Sequence, residues 1–136
     1  MNITQCILFL IPDAKFVCWE NDYKRIIWNS ERPMPTLQEL ESVLLPVVIA
    51  QKKQEIKSEA SRRIEETLSD WNARRHRDQI ELGVTTTLTA ADYATKQQKC
   101  QSIRDASNTI ESEIQSLNDP AAIENFDVAN HPAWPV

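Results

Sequence analysis

The chain has 136 residues, 41% hydrophobic and 26% charged, with a formal net charge of -5. That is enough for one domain with a modest core. The acidic balance argues against a general nucleic-acid binder, which needs a basic surface to neutralise phosphates, and leaves room only for a local basic patch.

No run reaches the roughly 20 apolar residues of a bilayer span. The short apolar run at residues 7–11 has neither the basic leader nor the cleavage site of a secretory signal. The single glycine rules out a Gly-rich phosphate loop. It also points to long helices rather than many tight hairpins. Cys6, Cys18 and Cys100 are odd in number and fit no zinc spacing, so they read as free thiols in a reducing compartment.

Residues 3–11, ITQCILFLI, are rich in β-formers and predict a first strand. Pro12-Asp13 is a turn signal. AKFVCWE at 14–20 alternates and predicts a second strand; Asn21-Asp22 is another turn, and YKRIIWN at 23–29 a third strand. The expected unit over residues 1–35 is a small antiparallel β-meander.

Thr36-Leu37-Gln38-Glu39 is a capping box, so a helix starts there, with Leu37, Leu40, Val43 and Leu44 on its apolar face. Pro46 predicts a kink or short break. A long helical pattern follows, with Ile49, Ile56, Ala60, Ile64, Leu68 and Trp71 as its seam. Pairs such as Glu59–Arg63 and Arg62–Glu66 decorate the polar face. Gly83 predicts the helix stop, and residues 83–88 an extended connector. Thr89 to Asp92 cap a second long helix. Its seam is Tyr93, Cys100, Ile103, Ile110, Ile114 and Leu117, interrupted by Ser107.

The helical region is thus 36–118, and residues 119–136 read as an irregular, Pro-containing tail. Two seams and a short connector predict a long antiparallel helical hairpin. The fold class is α+β.

The residues offer little chemistry. His76 lies in Arg74-Arg75-His76-Arg77-Asp78, which reads as a charged helix end complementing the macrodipole, with Arg75, His76, Arg77 and Asp78 as a structural charge cluster. His131 has no ligand-forming neighbours, and no serine sits in a nucleophile turn. No catalytic residue, cofactor or metal is expected. Trp19, Tyr23, Trp28 and Trp134 are the candidate partner-binding residues, since large aromatic side chains anchor interfaces.

One ordered set of residues goes beyond this chemistry. Asp70-Trp71, Arg75-His76-Arg77-Asp78-Gln79, Gly83, Thr87-Leu88-Thr89, Tyr93, Arg104-Asp105 and Trp134-Pro135 occur in that order. The set resembles the C-terminal half of bacteriophage tail fibre assembly proteins. The N-terminal half resembles small phage tail proteins, since the stretch 26–41, IIWNSERPMPTLQELE, is similar to their strand, Trp-Asn, Pro-Thr and Glu-Leu opening. Cys100 and Gln101 depart from the family pattern, and Ser107-Asn108-Thr109 replaces a Pro-containing stop, so the last helix is expected to run longer.

The resemblance implies a non-enzymatic chaperone of a trimeric tail fibre. It would act in the host cytoplasm during assembly, bind the fibre tip, and in some cases stay on the virion tail. The alternative is a structural tail, baseplate or fibre component acting as a strut or adaptor. A third reading is a small regulator of a host protein.

Overall fold

A computed structural model describes residues 1–69 and 71–136, without the side chains of Trp71 and Asn72. The described chain is mostly helical, with one small antiparallel sheet near the N-terminus, an α+β arrangement. The elements are α1 (Ile3–Leu10), β1 (Phe16–Cys18), a 3-10 turn (Tyr23–Arg25), β2 (Ile26–Trp28), α2 (Leu37–Ser42), α3 (Leu44–Leu68), α4 (Trp71–Leu82), α5 (Ala90–Ser116) and α6 (Pro120–Glu124). They fall into two compact units. Unit 1 holds Met1–Lys52 and Leu117–Asn125; unit 2 holds Lys53–Ser116 and Phe126–Val136.

The first predicted strand is a helix, so the three-stranded meander is a two-stranded ribbon. Residues 3–10 have β-propensity, but the Asn2 side chain caps the backbone amide of Gln5 at 3.1 Å. Ile3, Cys6 and Ile7 then fall on one buried face at steps of three and four. Burial of that face overrides propensity. The third predicted strand shortens to Ile26–Trp28, because Asp22 caps a 3-10 turn before it.

The ribbon pairs Phe16 with Trp28, Val17 with Ile27 and Cys18 with Ile26. Its inner face packs on the core of unit 1, which is built from Ile3, Cys6, Ile7, Leu40 and Val47. Phe16 and Trp28 stack there at 5.9 Å.

The capping box forms as expected. The Thr36 amide donates to Glu39 Oε2 at 2.7 Å, and the Glu39 amide to Thr36 Oγ1 at 3.2 Å. The break expected near Pro46 falls at Val43, and Pro46 sits in the first turn of α3, where its missing N–H is tolerated.

The long pattern after Val47 is interrupted once, since α3 ends at Leu68 and α4 begins at Trp71. Ser69 leaves the helix, with its hydroxyl on the Glu66 carbonyl at 3.1 Å. A serine competes in this way for the backbone of a last turn. The seam reading of Trp71 and the Asp70 match lie outside the described residues.

Gly83 ends α4 with φ of +68°, a left-handed position that favours glycine. Thr89 caps α5 by accepting from the Asp92 amide at 3.1 Å. Cys100, Ile103, Ile110 and Ile114 are buried, and so is Ser107, read from sequence as an interruption of the seam. The tail is not wholly irregular. Asp119 caps α6, and Pro120 fits its first turn.

Candidate interaction surface

The outer face of the ribbon carries one of the exposed apolar groups of unit 1. Val17 and Ile27 are cross-strand partners, and both are exposed. Trp19, two residues beyond Val17, is 57% exposed. Alternation along a strand explains this: 16 and 18 face the core, so 17 and 19 face away.

The ribbon edges add unfilled backbone groups. The Asn29 amide donates to the Lys15 carbonyl at 2.8 Å. Given the register, Val17 and Ile27 then form the next hydrogen-bonded pair, and the amides and carbonyls of Phe16, Cys18, Ile26 and Trp28 point outward. Among the described residues no backbone hydrogen bond fills those outward positions.

Trp19 is presented by a strained turn. The Asp22 amide donates to the Trp19 carbonyl at 3.0 Å, and the two residues between, Glu20 and Asn21, have φ of 55° and 56°. Left-handed backbone is easy for Asn and costly for Glu. Glu20 is compensated by an ion pair with Arg25. Asn21 is tied at its side chain: Oδ1 accepts from the Ile3 amide at 2.8 Å, and Nδ2 donates to the Met1 carbonyl at 2.7 Å. The turn is therefore braced by the start of α1.

The other expected partner-binding residues have different fates. Trp28 is half-buried, with Nε1 donating to the Arg32 carbonyl at 2.7 Å. Tyr23 is also half-buried, its hydroxyl donating to the Pro35 carbonyl at 2.7 Å. Trp134 is not a surface anchor at all. It is 6% exposed, its Nε1 donates to the Val128 carbonyl at 2.7 Å, and the Arg63 guanidinium lies 5.0 Å from its ring centroid. Its indole N–H finds a partner inside the chain, so burial costs little.

The charge cluster also separates. Arg75, Arg77 and Asp78 are exposed, whereas His76 is 2% exposed and stacks on Tyr93 with centroids 4.5 Å apart. Neighbours in sequence stand about 100° apart on a helix, so the flanking arginines point away from it. Among the described residues, Nδ1 of His76 has no hydrogen-bond partner. The helix-end reading missed this because it weighed the composition of the run and not the face on which each residue sits.

Elsewhere the polar faces of unit 2 behave as expected. Glu59 bonds Arg63 and Arg62, each at 2.7 Å, and Arg62 reaches Glu66 at 2.5 Å. The Arg62 hydrogen bond, and then that of Arg63, hold the Glu59 carboxyl at about 2 against the opposing effect of burial. The same carboxylate holds Arg62 above its ordinary value.

Among the described residues no group of three His, Cys, Asp or Glu side chains could hold a metal, and no helix is long and apolar enough to cross a membrane. Comparison with family models, curated proteins and solved structures finds no match.

Proposed function

We propose that this chain is a non-enzymatic assembly chaperone of a trimeric phage tail fibre, and that it binds the fibre tip through the outer face and edges of the N-terminal ribbon. The observation that carries the reading is the ordered residue set from Asp70 to Asp105, with Trp134-Pro135 beyond it. The exposed Val17, Trp19 and Ile27 beside unfilled backbone groups support the choice of surface.

The physical role follows from the partner. Intertwined β structure has high contact order, folds slowly and exposes strand edges meanwhile. A ribbon that offers its own edge and an apolar face can occupy such an edge until trimers close.

The helical part is proposed as an antiparallel hairpin, α3 and α4 against α5. Lys53 Nζ bonds Gln115 Oε1 at 2.5 Å, His76 stacks on Tyr93, and the Thr87 amide donates to Gln79 Oε1 at 2.8 Å. Helices of 25 and 27 residues are each roughly 40 Å long, which also suits the second reading, a strut or adaptor in the tail.

Co-expression with a fibre gene adjacent to this one decides between them. A chaperone raises the yield of soluble, trimeric fibre severalfold. Equal soluble trimer without this chain removes the chaperone role. A fixed copy number in purified particles then favours the strut.

A further inference from the structure

Residues 126–136 have almost no regular structure, yet Val128 and Trp134 are buried. This tail segment belongs to unit 2, and its contacts trace a path. His131 Nε2 meets Glu113 Oε2 of α5 at 2.9 Å. Arg63 of α3 donates to the Ala129 carbonyl at 2.8 Å and covers the Trp134 ring. Pro135 and Val136 then share a concavity with Thr67 of α3 and with Lys99 and Ile103 of α5. The segment therefore runs back along α5 from Glu113 to Ile103, with α3 on its other side.

Its shape is braced internally. Asp127 accepts from the Asn130 amide at 3.2 Å and from its side chain at 2.8 Å. His131 Nδ1 accepts from the Ala133 amide at 3.1 Å, so Nε2 carries the hydrogen and donates to Glu113. Phe126 stacks on His131 at 5.4 Å, and the Trp134 indole closes back on Val128. Pro132 and Pro135 restrict the free segment further.

We infer that the groove between α3 and α5 in unit 2 is a peptide-binding groove, and that residues 126–136 are its ligand in cis, a strap that can leave without unfolding the helices. A preorganised segment of consecutive turns, with one aromatic anchor and one carbonyl on a guanidinium, can bind as a short peptide at low entropic cost. The occupant it fits is a peptide carrying Trp-Pro that takes the same turns, with a backbone carbonyl placed for Arg63 and a hydrogen-bond donor placed for Glu113. This assignment does not depend on the fibre reading, because it uses a different surface and different residues.

The test uses the full chain with Trp134→Ala, which removes the anchor in cis and leaves every groove residue in place. The probe is a fluorescein-labelled peptide of sequence FDVANHPAWPV, read by anisotropy, with far-UV circular dichroism as the control. The variant is expected to keep its helical signal and to bind one peptide per chain at least about 10-fold more tightly than the parent chain. In the parent, the tethered tail competes at an effective concentration of order millimolar.

Equal affinity for both chains, or no binding to a variant whose helical signal is intact, overturns the inference. If Trp134→Ala loses helix, His131→Ala is measured in its place and judged by the same criteria. Loss of helix in both overturns the inference too, because the tail is then an inseparable part of the core.

Discussion

Two short stretches of this chain each carry a tryptophan on little regular structure, the turn at residues 19–22 and the tail at residues 126–136. The turn spends two left-handed residues to hold Trp19 outward, where its ring touches solvent. The tail bends back on itself so that Trp134 is buried, its N–H bonded and its face covered by Arg63. Each is braced by side-chain hydrogen bonds, Asn21 in one and Asp127 with His131 in the other. The difference lies in what the bracing achieves. In the tail the ring is turned inward, and its buried N–H is satisfied by the Val128 carbonyl. In the turn it fixes an apolar ring that stays in water, at two left-handed residues of which Glu20 is the costly one.

The largest effect is expected where the turn is tied down. Asn21→Ala removes acceptor Oδ1 from the Ile3 amide and donor Nδ2 from the Met1 carbonyl, and places alanine at a φ of 56°. Lost hydrogen bonds and left-handed strain together are worth about 2 kcal/mol. Urea denaturation measures it, with hydrogen exchange of α1 and the ribbon locating the loss. Asn21→Gly separates the terms, since glycine keeps the backbone conformation and loses only the bonds. If Asn21→Ala is neutral, the turn is not braced and the contrast with the tail collapses.

Local features were more legible in the sequence than long-range ones. The capping box at Thr36, the stop at Gly83, the cap at Thr89 and the Glu59–Arg63 pair depend on residues close together in the chain, and all form. Ile3–Leu10 was misread because its residues are good β-formers, while the deciding facts were a cap at Asn2 and a core to face. The 3, 6, 7 spacing was available as a signal, but in so short a run it competes with a continuous apolar strand. The site shows the same split. Trp19 falls on the outer face by simple alternation, whereas the burial of Trp134 depends on Arg63, 71 positions earlier, and no local pattern carries that. His76 was legible as a helix residue but not as a buried one, since its partner Tyr93 comes from the next helix.

A smaller effect is expected on the tail side, as pH falls. The Glu59 carboxyl is held near 2, below its ordinary 4.5, chiefly by the Arg62 hydrogen bond and then by Arg63. A depressed carboxylate contributes its stability in full above the ordinary value and loses it as pH falls through the folded one. The window is therefore between about pH 4.5 and pH 2. Arg63 is also the residue that grips the tail, so loosening there should reach Ala129 and Trp134. Glu59→Gln should lower the melting temperature at pH 7 by a few degrees at most. Its difference from the parent chain should vanish as pH approaches 2. A difference that persists undiminished to pH 2 would mean that packing, and not charge, is what Glu59 supplies.

The smallest effect on stability is expected at the exposed Trp19. Trp19→Ala deletes a ring that is more than half in water, and exposed substitutions usually shift stability by less than about 0.5 kcal/mol. The flanking strain stays, because it resides in Glu20 and Asn21. The melting curve should therefore overlay that of the parent chain. Capture of the co-expressed fibre should fall at least tenfold, as truncation of an aromatic interface anchor commonly costs about 2 kcal/mol or more. The paired measurement matters more than either alone. A destabilised Trp19→Ala would mean that the ring packs on unit 1 and that turn and tail use tryptophan alike. A stable variant that still captures fibre would move the contact off the turn, leaving Val17 and Ile27 on the ribbon face to be tested by the same pair of readings.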